Sequence, residues 1–328
     1  MKKVFIILSA VLLASVGVYL ALLYSLGPQK QLCIAQKDAP TGRMFLSGTP
    51  IVVEMMPGVH FKFDTGSGIS TINPADIQKL RDEGVSVTPL SLFTVGRDGY
   101  GRYDIYSEAV RIDFPLYDYD FATDSTGRAI AVGNRHQVNT LANVDFFVTP
   151  GRSTLGIDVL DKFMVEYLYN EQSVALHTAT PPGYQPTVAL WRSHNPLHYF
   201  TAGTRYYMNV GVDHIYNDYY IDTGLQLAML KLPSEESERS SNPLREDSVR
   251  TLVDIHKALT DDHAWIELGH RAGFRRASYY DSEEPYGVNP LNIVTQDMLI
   301  DFRGGMIYLR PYCVPNIIRN DEHQARAW

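Results

Sequence analysis

From residue 43 onward, short apolar runs rich in Val, Ile, Tyr and Phe are broken by Gly, Pro, Asn and Asp. That punctuation predicts strands and hairpins rather than long helices. "MFLSGTPIVVEMMPGVHFKFDTG" holds two strands split at Pro57-Gly58. "NPADIQKLRDEG" predicts a helix, with Asn73 as N-cap, Pro74 at the first helical position and Gly84 as the stop. "SLFTVGRDGYGRYDIYSEAVRIDF" predicts two strands around the turn Asp98-Gly99-Tyr100-Gly101. "VDFFVTPGRSTLGIDVLDKFMVEYLYNEQSVALHT" predicts a strand, a turn, a short helix and two further strands.

Residues 181–200 carry little periodicity and several prolines, and are expected to connect two halves. The plan then restarts. "YYMNVGVDHIYNDYYIDTG" predicts a hairpin, "SEESERSSNPLREDS" an exposed polar insertion, and "VRTLVDIHKAL" a helix. The two halves also end alike. Phe163–Tyr167 corresponds to Met298–Phe302, each followed by a turn and a last apolar strand, "SVAL" or "MIYL". The chain therefore divides into a first segment 1–27, an exit linker 28–42, a first lobe 43–180, a connection 181–200, a second lobe 201–312 and a tail 313–328.

The first segment differs from the rest. Lys2 and Lys3 precede Val4–Leu26, 23 residues without a charge. That length suffices to span a hydrocarbon core of about 30 Å. The two lysines predict a cytoplasmic N-terminus, with the rest of the chain outside the cytoplasm, in a bacterial periplasm or at a cell surface. A cleaved signal peptide is the alternative; its apolar core is usually about 7–15 residues. The only cysteines, Cys33 and Cys313, are expected to form a disulfide in that oxidising setting.

The whole chain is 328 residues, 45% hydrophobic and 20% charged, with a net charge of −8. Acidity and the lack of a Lys/Arg cluster argue against a nucleic-acid partner. His256, His263 and His270 recur every seven residues, but Thr260-Asp261-Asp262 should end any helix that aligned them. Pro196 likewise disrupts His194 and His198. No metal and no cofactor are expected.

One motif is written twice. Asp64-Thr65-Gly66 and Asp222-Thr223-Gly224 each follow an apolar strand, 158 residues apart. At ordinary residue frequencies a chain of this length holds one such tripeptide by chance with probability of about 0.1, and two well below that. Amide hydrolysis needs a base for the attacking water and an acid for the carbonyl oxygen. Two carboxyls about 3 Å apart cannot both ionise, so they share one proton and supply both. A duplicated lobe would present two such aspartates to one water.

With these features the chain resembles the aspartic peptidases of the pepsin and retropepsin type. The bacterial retropepsin-like proteins are the nearer likeness, because of the Asn-Pro helix. The likeness covers roughly residues 43–312. It implies a mostly β, bilobal acid-protease fold with a few short helices, preceded here by one transmembrane helix. It implies a monomeric endopeptidase acting on peptides or proteins, with Asp64 and Asp222 catalytic. Thr65 and Thr223 would brace the two loops, Gly66 and Gly224 would allow the turns, and Ser67 would hydrogen-bond Asp64. Tyr100 would be the tip of a flap. Two positions depart from the pattern: Leu225 follows the second motif where a small or hydroxyl residue is usual, and Asn292 stands where the second closing segment should have Gly. Those departures favour a non-catalytic peptide-binding protein as the alternative. A glycosidase with two more widely spaced carboxylates is a third possibility.

Overall fold

The computed structural model describes residues 2–26, 29–37, 41–48, 51–92, 94–97, 103–123, 129–169, 171–193, 205–212, 215–225, 228–231, 250–253, 256–268, 271–280, 287–294 and 296–310. The described chain is mostly β, in two sheets, with few helices. The expected fold class holds at that level.

Strand alternation decides which residues face the site. In Val59–Asp64, Val59, Phe61 and Phe63 are buried, while His60, Lys62 and Asp64 lie on the other face, as a period of two requires. Phe61 packs at 5.5 Å from Phe114, edge to face, and 5.3 Å from Phe146. This aromatic cluster anchors the strand from behind.

The internal repeat is written in the strand order. Six antiparallel strands run Met44–Gly48, Ser173–His177, Met164–Leu168, Met298–Asp301, Met306–Leu309 and Gln185–Arg192. At the central seam Val165 pairs with Ile300, Met164 with Asp301 and Glu166 with Leu299. Val165 and Ile300 are also equivalent positions of the two closing segments, so the seam pairs one copy of the repeat with the other about a local twofold. From each outer strand the chain goes on through matching hairpins. One passes through Val52–Met56 into Val59–Asp64, the other through Tyr206–Val212 into Ile215–Ile221. Each of these two last strands is then paired, in parallel, by a short strand from the end of its own half, Thr154–Gly156 or Gly287–Val288. A short helix follows in each case, Ile157–Leu160 or the 3-10 turn Pro290–Asn292.

That register corrects one sequence alignment. Gly156 pairs with Asp64, and Val288 pairs with Ile221, so the next residue, Asn289, is the counterpart of Gly156. Asn292 lies in the following 3-10 turn.

Local expectations hold in the first half. Pro74–Asp82 is helical, the Asn73 side chain accepts the Ala75 N–H, and Gly84 has φ +79°. Strands Thr94–Arg97 and Tyr103–Tyr106 pair as the hairpin expected there; Tyr100 lies outside the described residues. The segment 181–200, expected to be a plain connection, contributes the strand Gln185–Arg192. Among the described residues the expected helix 249–259 is not formed. Arg250–Val253 and His256–Leu268 are strands, the latter paired along Arg271–Tyr280. Val249, Thr251, Val253 and Ile255 are β-branched at every second position, a strand signal that the apparent helical period masked. His256 and His263 therefore share a strand rather than a helix face.

The N-terminal segment Lys2–Leu26 is a helix of 25 residues. Among the described residues no helix is long and apolar enough to cross a membrane. Cys33 is an exposed free thiol, so the expected bridge is not seen; Cys313 lies outside the described residues.

The seam is fully buried at Ile300 and Val165. Ile300→Ala should destabilise the protein by about 2–5 kcal/mol, through lost burial and the cavity left behind. Urea denaturation followed by near-UV circular dichroism measures this, and both halves should lose structure in one transition.

Candidate active site

Each Asp-Thr-Gly stands where an aspartate strand leaves the sheet, and the structure brings the two motifs face to face. The threonines interlock. The Thr65 N–H donates to Thr223 Oγ1 at 3.2 Å, and the Thr223 N–H donates to Thr65 Oγ1 at 3.1 Å. Each hydroxyl then donates onward, Thr65 Oγ1 to the Ile221 carbonyl and Thr223 Oγ1 to the Phe63 carbonyl, both at 2.8 Å. Both threonines are buried, so these four bonds satisfy groups that water does not reach.

The glycines permit the approach. A Cβ on Gly66 would fall 2.5 Å from Cγ of Asp222, and one on Gly224 would fall 2.5 Å from Cγ of Asp64. Neither glycine has a left-handed φ. Their role is thus close contact with the opposite carboxylate, rather than the turn expected from the sequence.

The carboxylates are within hydrogen-bonding reach of each other. Asp64 Oδ1 accepts the N–H groups of Gly66 and Ser67, at 3.0 and 3.2 Å. Asp64 Oδ2 accepts Lys62 Nζ at 2.7 Å. Asp222 is 8% exposed, and its Oδ1 accepts the Gly224 N–H at 2.9 Å. Burial, and then the charge of Asp64, push the Asp222 carboxyl well above its ordinary range; Lys62 opposes this in part. Tyr220 stands beside Asp222, and burial together with that neighbour raises its phenol, which stays a neutral donor.

Ser67 acts differently from expectation. Its hydroxyl donates to the Ile69 carbonyl at 2.9 Å, and only its backbone N–H reaches Asp64. The second loop is held by Asn289 instead, whose Nδ2 donates to the carbonyls of Thr223 and Leu225, each at 3.1 Å. A side-chain amide thus ties the loop that Leu225 cannot.

Behind the first loop lies a further carboxyl. The Gly156 N–H donates to Ser70 Oγ, and Ser70 Oγ donates to Asp158 Oδ1 at 2.7 Å. Gln29 Nε2 donates to Asp158 Oδ2 at 2.9 Å and to the Asp145 carbonyl. Asp158 as a residue is partly exposed, but its carboxyl is enclosed, and burial pushes it up to about 6 despite these donors.

No group of residues suited to hold a metal ion occurs among the described residues. No protein-family model matches the chain, and no curated protein matches it in sequence. The arrangement itself is a pair of carboxyls in contact, one beside an ammonium and one buried, at the meeting of two repeated strands. Such a pair can hold one proton and offer one base and one acid. Sequence reasoning missed Lys62, Tyr220, Asn289 and Asp158. The first two were legible, because a residue two before each Asp on a strand must share its face.

Two outcomes follow. Thr223→Val keeps the shape but leaves the Thr65 N–H without its acceptor and the Phe63 carbonyl without its donor. It should cost about 2–4 kcal/mol in urea denaturation, whereas Thr223→Ser should retain most of the stability. Asp158 binds its proton more tightly folded than unfolded, so its contribution to stability is present at low pH and lost as pH rises through about 6. The urea midpoint should rise between pH 7.5 and 5 by more in the wild type than in Asp158→Asn.

Proposed function

We propose that this chain is an aspartic endopeptidase with a bilobal acid-protease fold, built from both halves of one chain and acting as a monomer. The observation that carries this reading is the contact between Asp64 and Asp222, with each Gly laid against the opposite carboxylate. A glycosidase pair needs about 5 Å or more between its carboxyls, which this contact disfavours. The repeated strand order about the Val165–Ile300 seam supports the bilobal fold.

The chemistry follows from the two environments. A water held between the carboxyls gives a proton to ionised Asp64 as its oxygen attacks the peptide carbonyl carbon. Asp222, which holds the shared proton, gives it to the carbonyl oxygen. The tetrahedral diol then collapses: the C–N bond breaks, the amine nitrogen takes the proton now on Asp64, and Asp222 recovers one from the diol. Atoms and charge balance, and the pair returns to its starting state.

The N-terminal segment is proposed as a membrane anchor on its sequence alone, the uncharged stretch Val4–Leu26, since the described residues contain no helix long and apolar enough to cross a membrane; the two lobes would then lie outside the cytoplasm. Its apolar side chains stand out all round: Phe5 is 74% exposed and Leu13 72%. A helix that is apolar on every side belongs in a protein interior or a bilayer. Peptide capture without cleavage is the second reading, favoured by Leu225 in place of a hydroxyl residue.

A peptide-library digest by the full chain in detergent, across pH 3 to 7, tests the proposal. Asp64→Asn and Asp222→Asn should each lower kcat/KM by about 100-fold or more, and pepstatin should inhibit. Activity needs one proton on the pair. Because the Asp222 carboxyl is raised, the alkaline limb should lie above the ordinary carboxylate range. Undiminished cleavage by either Asn variant refutes the mechanism.

A further inference from the structure

Resting on the peptidase reading, the inference concerns the residues that flank the pair. The position two before each aspartate shares its strand face: Lys62 in the first half, Tyr220 in the second. A symmetric site would carry like residues there. Instead a cation stands on one side and a phenol on the other. Lys62 Nζ is 2.7 Å from Asp64 Oδ2, with the Lys62 side chain 25% exposed and that of Asp64 15%. Two backbone N–H groups hold the other Asp64 oxygen. Asp222 has one such N–H, and it lies deeper. Of the charged or titratable groups around the pair, Lys62 and Tyr220 touch it directly, and Arg205 stands over the Tyr220 ring at 5.2 Å.

We propose that Lys62 is a positioning residue of this site: its ammonium keeps the single negative charge of the pair on Asp64 and leaves the shared proton on Asp222. Lys62 thereby assigns the roles, Asp64 as base and Asp222 as acid. No proton leaves Lys62 in the reaction; it acts by its fixed charge. The ammonium acts on where the shared proton sits, so its effect is read most directly in titration of the pair.

The test compares wild type, Lys62→Met and Lys62→Arg as the full chain in detergent. The pair is titrated directly by carbon-13 NMR of labelled aspartate carboxyls, assigned with Asp64→Asn and Asp222→Asn, and kcat/KM is measured against pH on the same samples. Removing the cation should move the lower step of the pair's titration up by about one pH unit. The acidic limb of kcat/KM should follow it, which is about a tenfold loss at a pH one unit below that limb. The upper step should rise by less, since Lys62 touches Asp64 and lies farther from Asp222. Lys62→Arg should keep both steps near wild type. If Lys62→Met does not fold, Lys62→Gln carries the same comparison. An unmoved lower step, or higher activity at every pH, overturns the proposal. A moved step in a protein that cuts no peptide retires the peptidase reading and leaves the role of Lys62 standing. Cleavage without any shift retires Lys62 alone.

Discussion

Everything at this site depends on the reciprocal threonine hydrogen bonds. Hydrogen bonds tolerate only a few tenths of an ångström, and here four of them link Thr65, Thr223, Phe63 and Ile221 across the repeat. They fix the two loops relative to each other without any side chain of the carboxylate pair taking part. The rest of the architecture serves that registration. The aromatic cluster behind Phe61 stiffens one strand, and the Val165–Ile300 seam holds the two halves at one angle. The glycines then let the carboxylates close to contact.

Symmetry in the scaffold contrasts with asymmetry in the chemistry. Bracing bonds, strand order and glycines match between the halves, whereas Lys62 has Tyr220 as its counterpart, Ser67 has Leu225 and Gly156 has Asn289. A pair of identical acids in identical surroundings would share a proton evenly. Unequal burial and one flanking ammonium break that degeneracy, and they do so at positions that the bracing bonds do not use.

Much of this was legible in the sequence, and for identifiable reasons. The doubled Asp-Thr-Gly, the Asn73 cap and the matched closing segments are local signals, set by spacing and by turn chemistry, so they survive without tertiary context. The counterpart of Gly156 is Asn289 rather than Asn292, and only the parallel pairing of Ile221 with Val288, a long-range contact, reveals it. The segment 249–259 was misjudged because apolar residues at mixed spacing fit both periods, and a partner strand settles that choice. The likeness gives the Ser67 hydroxyl to Asp64, whereas in the structure it donates to the carbonyl of Ile69.

Gln29 gives the molecule a further property. It is buried, held by Asp145 and Asp158 on the back of the first half, only three residues after the helix ends at Leu26. Three residues reach at most about 10 Å. In a chain inserted as proposed, the carboxyl pair rides on a leash shorter than its own domain. It could not sweep a large volume above the bilayer. Substrates would have to come to a fixed height, so geometry of presentation, as much as side-chain preference, would decide what is cut.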